Sequence, residues 1–194
     1  MTEARPEQRR MTISDPQVMR ALAHPARIAI MEYLSTVEGG ATATECAELV
    51  GMSPSATSYH LRALAKFGLV EPAPSRGDAR ERVWRTFSHS WMVEAGQGAG
   101  PEARAAEQAL VEAHAARDIE RTRDWLRRAA DESPEWYDVA LFSDTLLLLT
   151  ATELAELNDA VLALFEPYRQ RNRRAAPPAG ARSVAAQYKA VPLA

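Results

Sequence analysis

The 194-residue chain holds one cysteine, Cys46, which excludes a disulfide framework within the chain and suits a reducing cytosol, so a cytoplasmic location is expected. No apolar run approaches the roughly 18 residues that a transmembrane helix requires. The N-terminal stretch carries Arg5, Arg9 and Arg10 with no apolar segment behind them, so neither a membrane partner nor a signal peptide is expected. Also lacking are a glycine-rich phosphate loop, GxSxG and HExxH. The four histidines are scattered, and no nucleophile sits at a recognisable spacing from a base. These absences argue against catalysis and against a bound cofactor.

What is present concentrates between Thr44 and Val70. Two short helical patterns meet at a tight Gly51-Met52-Ser53 corner, the first packing through Ala47, Leu49 and Val50. Ser53 is a good N-cap, and Pro54 takes the first helical position, where a missing N–H costs little. Leu61, Leu64, Ala65 and Leu69 then share one face. The other face carries Ser55, Ser58, Tyr59, Arg62 and Lys66, hydroxyls and cations with no acid among them. Small polar groups near a helix N-terminus with cations further along suit a helix lying in the major groove of double-stranded DNA. The segment reads as a helix-turn-helix.

Directly after it, residues 70–74 and 80–87 are short β-prone runs around the turn-forming cluster Ser75-Arg76-Gly77-Asp78. A hairpin in this place is a wing, and Arg76, Arg80, Arg82 and Arg85 make it basic. The net charge of −3 conceals this local field: residues 51–90 hold six Lys/Arg against three Asp/Glu, whereas residues 91–194 hold 12 against 16. Local charge decides where a polyanion docks, and so modest a surplus per subunit favours a dimer.

The chain resembles the ArsR (arsenic-repressor) family of bacterial winged-helix transcription regulators over residues 14–90. The likeness lies in Ala21 to Leu34 (ALAHPARIAIMEYL), in Ser58 to Leu64 (SYHLRAL) and in Lys66 to Val70 (KFGLV). It implies a homodimer that binds an inverted-repeat operator and usually represses until an effector arrives. Metal-sensing members place at least two thiols on the helix before the turn. Here only Cys46 stands there, too few ligands for a tight soft-metal site. His114 and Asp118 lie one turn apart on a later helix, but no second matching histidine follows. A non-metal-sensing regulator is therefore expected, with Cys46 as a small helix residue.

Gly96 to Gly100 closes a loose stretch, and residues 102–131 then run without a helix breaker, long enough for a helix of roughly 45 Å. Pairing with the same helix of a second subunit, through Leu110, Ala113, Trp125 and Leu126, is its natural use. Residues 137–142, 145–150 and 184–190 look apolar or alternating enough for strands. Between them Thr150-Ala151-Thr152-Glu153 is a capping box that opens another helix. Trp91, Trp125, Trp136 and Tyr137 complete a core or dimer interface, or else line a small-molecule effector pocket.

The expected fold is mainly α (α+β): a winged helix-turn-helix, a long dimerisation helix and a small α+β C-terminal unit. The expected domains are a disordered arm over 1–13, a DNA-binding domain over 14–90, a linker over 91–101 and a dimerisation and effector region over 102–194. Ser55, Ser58 and Tyr59 are expected to read base edges, Ser53, Arg62 and Lys66 to contact phosphates, and Arg76, Arg80 and Arg82 to hold the flanks. His60 belongs to the same signature but sits towards the first helix. The competing function is a winged-helix protein-interaction module with little specific DNA binding.

Overall fold

A computed structural model describes residues 11–37, 39–74, 81–86, 91–93, 96, 98–169, 173 and 176–193. Its first elements follow from their caps. Helix α1 (Pro16–Leu22) begins where Asp15 accepts the Gln17 N–H at 2.7 Å, with Pro16 at the first position. His24 does the same for α2 (Pro25–Thr36), its Nδ1 accepting from the Ala26 N–H at 3.2 Å. Helix α3 (Ala43–Val50) opens with a capping box: the Glu45 N–H donates to Thr42 Oγ1 at 3.1 Å, and the Thr42 N–H donates to the Glu45 carboxylate at 2.7 Å. Gly51, at φ 65°, ends α3 in the left-handed conformation that glycine adopts without strain. Ser53 then caps α4 (Pro54–Lys66), and only three residues separate α3 from α4.

Strands β2 (Ala41–Thr42), β3 (Val70–Ala73) and β4 (Val83–Thr86) form an antiparallel sheet in the order β2-β4-β3. Val70 lies opposite Thr86 and Ala73 opposite Val83, while Ala41 pairs with Trp84 on the far side of β4. Pro72 is tolerated because β3 is an edge strand, where a missing N–H breaks no ladder. The hairpin runs where the sequence places it. Strand β2 has no signal in the sequence, since two residues are too few to show an alternation.

A second, parallel pairing joins β1 (Met11–Ile13) to β5 (Trp91–Val93). This corrects two expectations: residues 11–13 are not part of a disordered arm, and 91–93 are not linker. Ile13 is 3% exposed and packs in the core, which gives the short strand its purchase. Residues 1–10, with Arg5, Arg9 and Arg10, lie outside the described residues. The core joins Met19 and Leu22 of α1, Ile30 and Leu34 of α2, Cys46 of α3, Leu61 and Leu64 of α4, and Trp84 of β4. Leu49, expected to pack, is instead 52% exposed, and Cys46 fills the interior place on α3.

Helix α5 (Pro101–Arg128) and a 3₁₀ turn (Ala129–Asp131) cover the expected long helix. Ala106 and Leu110 of α5 are buried in the same core. The chain accordingly divides into two compact units between Arg117 and Asp118, inside α5, and not at the glycine-rich stretch before it. The second unit holds α6 (Pro134–Tyr137), α7 (Ala151–Phe165) with its Thr150–Glu153 capping box, and a 3₁₀ turn (Glu166–Tyr168).

The strands expected over 137–142, 145–150 and 184–190 do not form. A strand exists only where its backbone N–H and C=O groups meet a partner edge. Among the described residues, no backbone hydrogen bond joins 145–149 to 184–190.

Candidate nucleic-acid interface

Helix α4 presents two chemically distinct faces. Thr57, His60, Leu61 and Leu64 are buried towards the other helices. Ser55, Tyr59, Arg62 and Lys66, spaced by four, three and four residues, form one exposed stripe opposite them, with Tyr59 59% exposed. Among the described residues no acid pairs with Arg62, Lys66 or Arg82. Ser53 starts the stripe, but its Oγ already accepts the Ala56 N–H at 3.3 Å and lies 3.4 Å from Ser55 Oγ. Ser58 is half-buried on the flank.

His60, a candidate for DNA contact that the sequence sets towards the first helix, lies on the buried side of α4. It is 5% exposed and turns towards α2, where Arg27 Nε donates to its Nδ1 at 3.3 Å. Arg27 also donates from Nη1 to the Ala21 carbonyl at 2.9 Å, and the His24 ring lies 4.6 Å from that of His60. Arg27 thus pins the recognition helix to the first helix pair. The sequence does show the residue, in the His-Pro-Ala-Arg corner, but not its partner 33 positions away.

Burial, then the charges of His24 and Arg27, lowers the pKa of His60; burial, then Arg27, lowers that of His24. Protonating His60 would turn its accepting nitrogen into a donor facing a guanidinium. Both folded-state values lie below the unfolded value near 6.5. Stability from these groups is therefore fully present above pH 6.5 and is lost as pH falls through the folded values. Melting temperature should drop between about pH 7.5 and 5.5, and His60→Gln should flatten that slope. Thermal melts across this range check it; an unchanged slope in the variant would remove His60 from the account.

On the hairpin, Arg82 is exposed with its guanidinium 5.5 Å from the Trp84 ring centroid, a cation–π contact. Arg85 is neutralised by its cross-strand neighbour Glu71, to which its Nε donates at 2.6 Å. Thr44 Oγ1 donates to Glu81 at 3.0 Å, tying α3 to the turn end of the hairpin, just before β4. Arg76 and Arg80, with the expected turn around them, lie outside the described residues.

Two of the residues weighed for metal chemistry, Cys46 and Asp118, have other surroundings. Cys46 is fully buried, and burial together with the nearby Glu45 carboxylate pushes its thiol up to about 11. Asp118 accepts from Arg121 at 2.9 Å and pairs with Lys189 at 3.0 Å. Among the described residues no group of three or more His, Cys, Asp or Glu side chains is placed to hold a metal ion. Of the expected dimer contacts, Leu110 is fully buried in the core and anchors α5 to its own domain. Ala113 and Trp125 are half-buried, and Leu126 is 61% exposed.

A β-hairpin behind two helices, the second carrying a cationic stripe, defines a winged helix-turn-helix, the fold of DNA-binding transcription regulators. Residues 24–71 match the model of the arsR family of bacterial regulatory proteins, and through this domain the chain belongs to that family. Similar solved structures include the homodimeric winged helix-turn-helix DNA-binding domain of Mb0332 from Mycobacterium bovis, described as a possible ArsR-family regulator. It is 30% identical, with 54% of this chain and 83% of that chain covered and a TM-score of 0.31. A mutant of ZitR from Lactococcus lactis in apo form is 16% identical, with coverage of 75% and 83% and a TM-score of 0.34. The MarR-family protein Rv2887 of Mycobacterium tuberculosis, in complex with salicylic acid, is 19% identical, with coverage of 78% and 87% and a TM-score of 0.30. No curated protein matches the chain. No helix among the described residues is long and apolar enough to cross a membrane.

Proposed function

We propose that the protein is a homodimeric repressor that binds an inverted-repeat operator through α4 and the wing. The observation that carries this reading is the exposed stripe of Ser55, Tyr59, Arg62 and Lys66, with Arg82 on the hairpin and no described acid paired with any of the three cations. An α-helix fits the major groove, where hydroxyls and a phenol address base edges and cations address phosphates. Ser58 contributes from the flank. In this reading Arg76 and Arg80 hold the flanks, as their charge and their place in the sequence suit. Two subunits pair through the exposed side of α5, which shows Ile119 and Leu126, so that their recognition helices lie about 34 Å apart in successive grooves. A small-molecule effector acts in this reading by favouring a dimer whose helices miss that spacing, and about 1.4 kcal/mol between the two states suffices for a tenfold loss of affinity.

The test is enrichment of sheared genomic DNA by the purified full-length protein, followed by sequencing. Recovery of a short palindrome with half-sites one helical turn apart is the expected result. No enrichment over background at low salt would replace this reading with that of a protein-interaction module.

A further inference from the structure

The unit that begins at Asp118 is compact, yet among its described residues none is buried. Its apolar side chains face outwards instead: Leu141 is 82% exposed, Leu146 81%, Leu148 101% and Val184 71%. A unit of this size without a core cannot offset the conformational entropy lost on ordering its chain. Exposed apolar surface on this scale marks an interface.

Two segments of this unit, 145–149 and 184–190, have the composition of strands and no backbone pairing to each other among the described residues. Residues 145–149 carry neither a charge nor a proline, the devices that guard an open edge against unwanted pairing. The C-terminal segment is meanwhile held by side-chain contacts within its own unit. Arg182 donates to both Glu132 oxygens at 2.9 and 3.0 Å, the Tyr188 hydroxyl donates to Asn158 Oδ1 at 2.9 Å, and Lys189 pairs with Asp118 at 3.0 Å. The Arg182 side chain and the Ser133 N–H hold the Glu132 carboxyl down to about 2, so the clamp persists in mild acid. Among the described residues the segment is thus placed without a backbone partner.

We propose that the missing partner is a second copy of this chain: residues 145–149 of one protomer pair with residues 184–190 of the other, and reciprocally across a twofold axis. The inference rests on the homodimer reading above and adds a second contact to it. Reciprocal pairing satisfies both open segments in both copies at once and closes the assembly, whereas one-sided pairing would leave a free edge at each end. A standard interface needs about 800 Å² from each partner. The exposed leucines on and around residues 145–149, with Val184 and Val191, provide apolar area for this. Ile119 and Leu126 of α5 belong to the same unit and extend the surface onto the helix already assigned to dimerisation.

Hydrogen exchange on the full-length protein, with its mass followed by sedimentation, tests the proposal. At concentrations where the chain is a dimer, amides of both segments should exchange at least tenfold more slowly than after dilution to monomer. The double substitution Leu146→Asp with Leu148→Asp should abolish that protection at both segments together. A dimer whose segments exchange freely overturns the proposal, as does protection that persists in the monomer or a chain that never dimerises. Operator enrichment is read separately, so recovery of the palindrome together with free exchange would reject the strand exchange and leave the DNA-binding reading standing.

Discussion

Replacing Arg62 and Arg82 together by alanine should weaken operator binding by on the order of 10²-fold or more, without unfolding the protein. Both side chains are exposed, so stability should move by no more than about 0.5 kcal/mol each. Each cation is assigned to a phosphate, and a hydrogen bond to a charged group contributes roughly 1.5–3 kcal/mol. A dimer loses two such contacts per subunit. Counterion release then makes a second, independent readout: the slope of log affinity against log salt should shrink by about 0.9 for every phosphate contact removed, or roughly 3–4 in all. Titration of the operator at several salt concentrations measures both. Unchanged affinity with an unchanged slope would sink the assignment of this face. Loss of affinity with an unchanged slope would move the two arginines from phosphates to some other role.

Gly40→Ala should be the most damaging single-methyl change in the DNA-binding domain. Gly40 sits at φ 88°, and a Cβ placed there would lie 2.2 Å from the Trp84 backbone oxygen and 2.8 Å from its carbonyl carbon. Neither neighbour is the end of a flexible side chain. Trp84 is on β4, the central strand, paired on both sides and 5% exposed, so it cannot move without opening the sheet. Left-handed strain alone costs about 1–3 kcal/mol, and the clash adds to it, so a loss of roughly 3 kcal/mol or more is expected. For a domain of this size that lowers the melting temperature by on the order of 15 °C. Gly39 supplies the control, since it has φ 74° but nothing within 4 Å of its Cβ position. Gly39→Ala should show the strain without the clash. Equal melting temperatures for the two variants would mean that the close approach to Trp84 is not a constraint.

The helices of the DNA-binding domain were legible because their caps are local. Asp15, His24 and Ser53 each precede a proline, and Gly51 stands at a left-handed end. Even the start of α3 was written in the sequence: Thr42 to Glu45 repeats the Thr-Ala-Thr-Glu of residues 150–153, and both form the same capping box. The polar stripe of α4 was legible for the same reason, since 3.6-residue periodicity separates it from Leu61 and Leu64 without any tertiary information.

What failed to show was whatever depends on residues far apart in the chain. Strands β1, β2 and β5 are two or three residues long and exist only because a distant backbone meets them. Arg85 counted as a wing cation until the register set it opposite Glu71. His60 was placed towards the first helix, but its partners Arg27 and His24, which converge on it, were not legible. Leu110 moved from the dimer seam to the core, because α5 packs its first turns onto the same cluster as α1 and α2. In the second unit, an apolar run favoured a strand over 145–150 and alternation favoured one over 184–190, but composition cannot say where the pairing edge lies.

The sequence by itself determined the helix-turn-helix, its wing, the long α5 and the chemistry of the exposed recognition stripe, all consequences of spacing and capping within a few residues of one another. Only the tertiary structure decided which cations remain unpaired, which histidine is buried, where the short strands add to the sheets and which apolar side chains of the second unit are left uncovered. Those outcomes are set by contacts between distant segments, where hydrogen-bond partners and buried surface are allotted once for the whole fold.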